Sequence, residues 1–204
     1  MSRVKICGLR RIEDIEAVNL ALPDYIGFVF AKSKRRVDIE TAAMLKKKLD
    51  LRIKAVGVFV NEDISIILQI VQNGIIDWIQ LHGDEDDVYI ERLKGSCNCP
   101  VIKVVGVSDT LPVLPKAADY LLFDTLSAQR GGVGKAFNWH VLKEYHNMPY
   151  FLAGGLSIKN VSDAIQLLSP YCVDVSSGVE TDGVKDSAKI SEFVKIVRRI
   201  QCHE

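Results

Sequence analysis

Val4-Lys5-Ile6-Cys7-Gly8-Leu9, almost at the N-terminus, reads as a short buried strand ending at a glycine. Alternation puts Lys5 and Cys7 on one face and Val4 and Ile6 on the other. A lysine and a cysteine sharing one face of a core strand are costly to bury without a purpose. An ammonium near a thiol favours the thiolate, so Cys7 is a candidate base or nucleophile. Taken alone, a cysteine on a strand is ordinary core filler. What lies on the other strands decides between these readings.

Outward from this strand the chain alternates. Ile12, Ile15, Val18 and Leu22 recur at helical spacing, with Glu13 and Asp14 in the first turn. Residues 25–30 are a second strand, and Asp38 looks like the cap of a helix carrying Ile39, Ala42, Leu45 and Leu49. A third strand at 55–60 leads to Asn61 as a cap, with Ile64, Ile67, Leu68 and Val71 as the stripe behind it. Strand four covers 75–81, a helix 84–94 and strand five 101–107. Pro112 and Pro115 allow at most a short, weak helix over 109–117. Strand six is 120–123, Asn138 caps a helix through Tyr145, strand seven is 150–153, and Ser157 caps a helix with Val161, Ala164, Ile165 and Leu168 inward. Strand eight is 172–175, and Ile190, Phe193, Val194, Val197 and Ile200 form the last stripe.

Strands alternating with helices imply a parallel sheet, and eight such units imply a (β/α)8 TIM barrel, an α/β fold, as one small domain over 1–204. An open doubly wound sheet competes. It needs only five or six strands, and no glycine-rich dinucleotide fingerprint follows strand one.

Composition narrows the class of function. Hydrophobic residues make up 48% and charged residues 25%, which suits a packed globular chain. Lys+Arg 26 balances Asp+Glu 26, so the electrostatic footprint of a nucleic-acid or membrane-surface protein is missing. With no spanning run and no signal-peptide pattern, the expected home is the cytoplasm. Cys7, Cys97, Cys99, Cys172 and Cys202 are an odd, irregular set that suits a reducing compartment. Cys97-Asn98-Cys99 lacks the spacing and second ligand pair of a zinc site, and no metal is expected.

Barrel enzymes carry their chemistry at the C-terminal ends of the strands. Those ends hold Cys7, the basic run Lys32 to Arg36, Asn61, Gln80 with His82, Asp124, Gly154-Gly155 and Ser176-Ser177-Gly178. Each has a plainer reading: a solvated charge run, a surface aspartate at a loop start, a histidine that orients a loop, a pair of ordinary tight turns. As a set they suggest more. A guanidinium after strand two can grip a carboxylate in bidentate fashion. Glycine-bearing turns after strands seven and eight stand where barrels cradle phosphate. Gly131-Gly132-Val133-Gly134-Lys135 is only superficially a nucleotide loop. Gln129 replaces its first glycine and Ala136 its metal-binding hydroxyl, so a loop that moves over the site fits better.

In this order and spacing, the stretches 5–8, 27–30 with 33–35, 56–61, 80–83, 122–125, 131–137, 154–156 and 173–180 resemble the phosphoribosylanthranilate isomerase family of tryptophan biosynthesis. The resemblance spans essentially the whole chain. It implies an Amadori rearrangement of N-(5-phosphoribosyl)anthranilate, an aminoaldose, to the aminoketose 1-(2-carboxyphenylamino)-1-deoxyribulose 5-phosphate, with no cofactor. By the same resemblance the general base falls on Cys7 and the general acid on Asp124. The grip on the anthranilate carboxylate falls on Arg35, with Arg36 beside it as the alternative. Phosphate falls on the backbone of Gly154, Gly155, Ser176, Ser177 and Gly178, and His82 lines the substrate site. The partner is a small phosphosugar rather than a nucleic acid or a membrane, for a monomer with a homodimer as the alternative.

The reaction itself asks for such a pair. An acid protonates the furanose oxygen to open the ring, and a base then takes the proton from C2. Strands one and six can place Cys7 and Asp124 across the mouth from each other. The acid needs a pKa raised by desolvation or a nearby carboxylate, and the base needs the reverse, which Lys5 is placed to supply while pairing with Asp174. Gly8 is expected to keep side-chain bulk away from the sugar. Two other readings stay open: another phosphosugar barrel enzyme, such as an indole-forming synthase or a pentose-phosphate epimerase, and a catalytically idle phosphate-binding barrel. The first would need Lys/Glu pairs or metal-ligating His/Asp sets that the strand ends lack. The coexistence of Cys7 and Asp124 argues against the second.

Overall fold

A computed structural model describes residues 2–126 and 137–200. The glycine-rich loop at 131–135 and Cys202 lie outside the described residues. Eight parallel strands close into a barrel in chain order: β1 (Arg3–Cys7), β2 (Tyr25–Val29), β3 (Lys54–Phe59), β4 (Trp78–Leu81), β5 (Val101–Val107), β6 (Tyr120–Thr125), β7 (Tyr150–Leu152) and β8 (Cys172–Val175). Closure is completed by β1 lying beside β8, with Lys5 opposite Asp174.

Six α-helices are present among the described residues: α1 (Ile12–Ala21), α2 (Ile39–Lys46), α3 (Ile64–Gln72), α4 (Asp87–Lys94), α5 (Val161–Leu168) and α6 (Ser187–Ile200). The eight-unit repeat expected from the sequence is therefore incomplete among the described residues. No helix joins β5 to β6, where Pro112 and Pro115 interrupt the chain, and among the described residues of the next connection there is a four-residue 3-10 turn at Trp139–Leu142.

Helix starts follow from short acceptor side chains. Asp38, Asp63 and Asp86 accept from the backbone N–H of Thr41, Ser65 and Tyr89 at the heads of α2, α3 and α4. Two caps differ from the sequence reading. Asn61 sits in the left-handed region (φ 50) and bonds across to Asp84, so Asp63 caps α3 instead. Ser157 donates its N–H to Asn160, and α5 begins only after Asn160.

Alternation along each strand divides the core in two. Val4, Ile6, Ile26 and Phe28 belong to the larger cluster, which fills the space between strands and helices. Tyr25, Val56, Ile102, Leu122, Phe151, Ala153 and Cys172 form a separate cluster inside the barrel. At the N-terminal end of the strands the interior is aromatic. Trp78 lies edge-on to Tyr25, Phe151 packs against Tyr120 and Tyr171, and Arg3 stacks over the Tyr171 ring while donating to Tyr25.

After β8 the chain makes a feature absent from the sequence reading. A two-residue antiparallel hairpin, β9 (Glu180–Thr181) and β10 (Val184–Lys185), turns at Asp182-Gly183, both in the left-handed region. Glu180 and Lys185 stand opposite each other on it.

Candidate active site

Lys5 and Cys7 point into the barrel, on the same face as Asp174 of β8. Lys5 is fully buried, and its Nζ donates to Asp174 Oδ2 at 2.8 Å. This pair accounts for the lysine in the first strand: its charge is matched across the β1–β8 seam, and Asp174 holds it firmly protonated against the pull of burial. Asp174 Oδ1 is buried and, among the described residues, has no hydrogen-bond partner.

Cys7 ends β1 one layer above Lys5. Gly27, its register partner on β2, makes room for it: a Cβ there would lie 2.6 Å from the sulfur. The direction of the thiol's pKa corrects the sequence expectation. Burial pushes it above the ordinary thiol value, Lys5 pulls it down, Asp174 pushes it up, and Lys185 pulls it down, leaving a net rise. Lys5 does act on the thiol, but its neighbouring carboxylate acts against it, and desolvation exceeds both.

Asp124 is next to last in β6, with its carboxylate at the mouth. Its Oδ1 accepts from Thr125 N at 2.8 Å, and its Oδ2 lies 3.8 Å from His82 Nε2. Burial is the largest influence and raises its pKa to about 6; the Thr125 N–H opposes this and the charge of Asp174 adds to it. His82 is in turn 3.4 Å from the amide of the buried Gln80.

The turns after β7 and β8 close the far side of the mouth. Gly154 (φ 82) and Gly155 (φ 71) adopt backbone that side chains resist. A Cβ on Gly154 would lie 2.5 Å from Thr125 Oγ1 and 3.3 Å from Asp124 Oδ1. Ser177 and Gly178 belong to a 3-10 turn at Ser177–Val179, packed so tightly on the β7 loop that a Cβ on Gly178 would overlap the Leu156 carbonyl. Ser176 Oγ donates to the Cys7 carbonyl at 3.0 Å, which ties this loop to the end of β1.

Arg35 reaches over the end of β1. Gly8 (φ 83) accommodates its stem, since a Cβ there would lie 2.5 Å from Arg35 Cδ. Arg36 is exposed and donates to the Phe30 carbonyl, away from this cluster. Arg35 is held in place by Glu180, which accepts from its Nε at 2.7 Å and its Nη2 at 2.8 Å. Lys185 Nζ donates to the same carboxylate at 2.7 Å and to the Ser176 carbonyl at 2.8 Å. Although burial opposes it, these bonds bring Glu180 down to about 2.

Glu180 and Lys185 had no role in the reading from sequence. Glu180 lies 145 residues from Arg35, so neither spacing nor periodicity links them. One local signal was present: Asp182-Gly183 is a hairpin-type turn that sets residues 180 and 185 face to face.

Comparison with known proteins gives one consistent result. The sequence profile described as "PRAI: N-(5'phosphoribosyl)anthranilate (PRA) isomerase" matches residues 4–196. A protein of Endomicrobium trichonymphae named N-(5'-phosphoribosyl)anthranilate isomerase is 52% identical over 201 residues, covering 98% of this chain and 100% of the relative. One of the same name from Clostridium acetobutylicum is 48% identical over 205 residues, covering 98% and 100%. Among solved structures, phosphoribosyl anthranilate isomerase from Thermotoga maritima superposes with a TM-score of 0.85 at 36% identity, covering 98% of this chain and 100% of that one. A structure of such an isomerase in complex with reduced 1-(o-carboxyphenylamino)-1-deoxyribulose 5-phosphate gives 0.82 at 33% identity, with 98% and 100% coverage.

Proposed function

Because the chain belongs to the phosphoribosylanthranilate isomerase family, we propose that Cys7 is its general base and Asp124 its general acid. The enzyme converts N-(5'-phosphoribosyl)anthranilate to the aminoketose by an Amadori rearrangement in tryptophan biosynthesis. The C-terminal ends of β1 and β6 bring Cys7 and Asp124 to one mouth of the closed barrel, which is the observation that carries the assignment, and burial raises the Asp124 pKa to about 6, as an acid requires.

On this reading Asp124 delivers a proton to the furanose ring oxygen. The ring opens to an iminium, the Cys7 thiolate removes the C2 proton, and the enolamine tautomerises to the ketone. Asp174 serves two ends: it neutralises Lys5 and raises the pKa of Asp124. Arg35 holds the anthranilate carboxylate, the backbone of Gly154, Gly155, Ser176, Ser177 and Gly178 holds the phosphate, and His82 lines the wall beside the acid. Since the thiol is raised and the carboxyl titrates near 6, the reactive form, acid protonated and thiol ionised, is a minority species at neutral pH.

Residues 1–204 act on this reading as one catalytic domain in the cytoplasm, a monomer with a homodimer as the alternative, with no nucleic-acid or membrane partner. No helix among the described residues is long and apolar enough to cross a membrane.

The test is the loss of substrate fluorescence with purified protein and freshly made phosphoribosylanthranilate. Cys7→Ala and Asp124→Asn are each expected to lower kcat by about 10²–10⁴-fold. A rate near wild type in either variant removes that residue from its role.

A further inference from the structure

The Arg35–Glu180–Lys185 cluster is more than an ion pair at the rim. Arg35 carries five N–H donors in one plane. Glu180 takes Nε–H and one N–H of Nη2, in the side-by-side geometry that fixes both the position and the plane of the guanidinium. Three donors remain, one on Nη2 and two on Nη1, and among the described residues Nη1 makes no hydrogen bond. The end-on edge of the same plane is therefore free to meet a second carboxylate.

Glu180 is itself held from behind. Lys185, its side chain only 2% exposed, bonds to Glu180, to the Ser176 carbonyl and to Ser176 Oγ. Lys189 grips the Glu180 carbonyl at 2.8 Å, and Thr181 bonds Asp186 across the base of the hairpin. The hairpin is thus a short rigid bracket between the phosphate-side loop and Arg35. With two cations around one carboxylate, the cluster carries net positive charge and attracts a further anion. An isolated Arg–Glu pair would not.

We infer that Glu180 and Lys185 are positioning residues of the carboxylate grip: Glu180 fixes Arg35 by one edge and presents the other to the aryl carboxylate, while Lys185 anchors Glu180 and keeps the cluster cationic. The inference rests on the role proposed above for Arg35. It has an opposite with an opposite sign. If Glu180 instead occupied the substrate's place, removing its charge would strengthen binding of a carboxylated ligand.

Calorimetry with two ligands separates these cases: reduced 1-(o-carboxyphenylamino)-1-deoxyribulose 5-phosphate and the same compound without its carboxyl group. Wild type is expected to prefer the carboxylated ligand by about 10- to 100-fold, the range of a charge-assisted pair. Glu180→Gln is expected to cut that preference by about tenfold, with Glu180→Asp recovering part of it. Lys185→Gln is expected to cut it in the same direction, by about threefold. In the double variant Arg35→Ala/Glu180→Gln the preference should be no lower than in Arg35→Ala alone, because Glu180 acts through Arg35. Binding of the carboxyl-free ligand reports an intact barrel in each variant, and Lys185→Gln carries the test should Glu180→Gln not fold. A preference retained or increased in Glu180→Gln or Lys185→Gln, while Arg35→Ala abolishes it, overturns the inference alone. A preference retained in Arg35→Ala overturns the role of Arg35, and the inference with it.

Discussion

The two ends of one barrel are built from the same eight strands and obey opposite rules. At the N-terminal end the inward positions are Tyr25, Trp78, Tyr120 and Phe151, aromatic rings packed edge to face. Two residues further along each strand, the inward positions are Gly27, Gln80, Leu122 with Asp124 beyond it, and Ala153. Leu122 apart, large rings give way to small or polar side chains, with Cys7 and Asp124 towards the mouth and the buried Lys5–Asp174 pair beside them. The difference teaches where the fold stores its stability and where it spends some of it. The aromatic end buries ring area, and its Tyr25 and Tyr171 hydroxyls meet each other and Arg3. The open end holds a lysine and two carboxylates where water is scarce, one carboxylate with an oxygen unmet among the described residues and the other with a pKa raised to about 6.

That contrast makes substitutions at the two ends differ in sign. The largest effect is expected at the closed end. Phe151 is fully buried and touches the rings of Tyr25, Trp78, Tyr120 and Tyr171. Phe151→Ala should cost about 3–5 kcal/mol in urea unfolding, with kcat/KM retained wherever the protein stays folded. A loss below about 1 kcal/mol would mean that the aromatic layer is not the support described here.

A smaller effect of opposite sign is expected at the open end. The Asp124 pKa is raised in the folded state, from 3.8 to about 6, so its ionisation opposes folding above pH 6. The protonated group carries no such penalty, and the folded protein gains relative stability as pH falls from about 6 to about 4. Asp124→Asn, which keeps the acceptor for Thr125 N, should therefore stabilise the protein at pH 7.5 by on the order of 2–3 kcal/mol. The gain should vanish by about pH 4. Thermal melts of both proteins across that range check it, and a variant less stable than wild type at pH 7.5 would break the comparison.

Much of this barrel is legible in the sequence, for a physical reason. Strand alternation and helical stripes are local, so β5 and β8 fall where the pattern puts them, and Lys5 with Cys7 on one face follows from parity alone. Three kinds of feature were not legible. Caps depend on backbone angles: Asn61 is a good capping residue in composition, but its left-handed backbone turns it toward Asp84. The hairpin of two-residue strands is too short for any periodicity, leaving only Asp182-Gly183 to mark it. The third kind is long-range charge. The Lys5 effect on Cys7 has the expected sign, but the net direction depends on burial and on Asp174, which the chain brings from its far end. The Glu180 grip on Arg35 is illegible for the same reason: it exists only once the barrel closes.

The pairing of a buried acid near pKa 6 with a raised thiol is tested most directly by kcat/KM against pH, from 5 to 10, with Cys7 ionisation followed in parallel by thiolate absorbance in the ultraviolet. Below about 6 the acid is protonated and the thiolate fraction grows tenfold per unit, so kcat/KM should rise. Above it the loss of protonated Asp124 offsets the growth of thiolate, giving a plateau through neutrality that falls only where Cys7 ionises. A kcat/KM that drops tenfold per unit above pH 6, with thiolate absorbance already full there, would contradict the account.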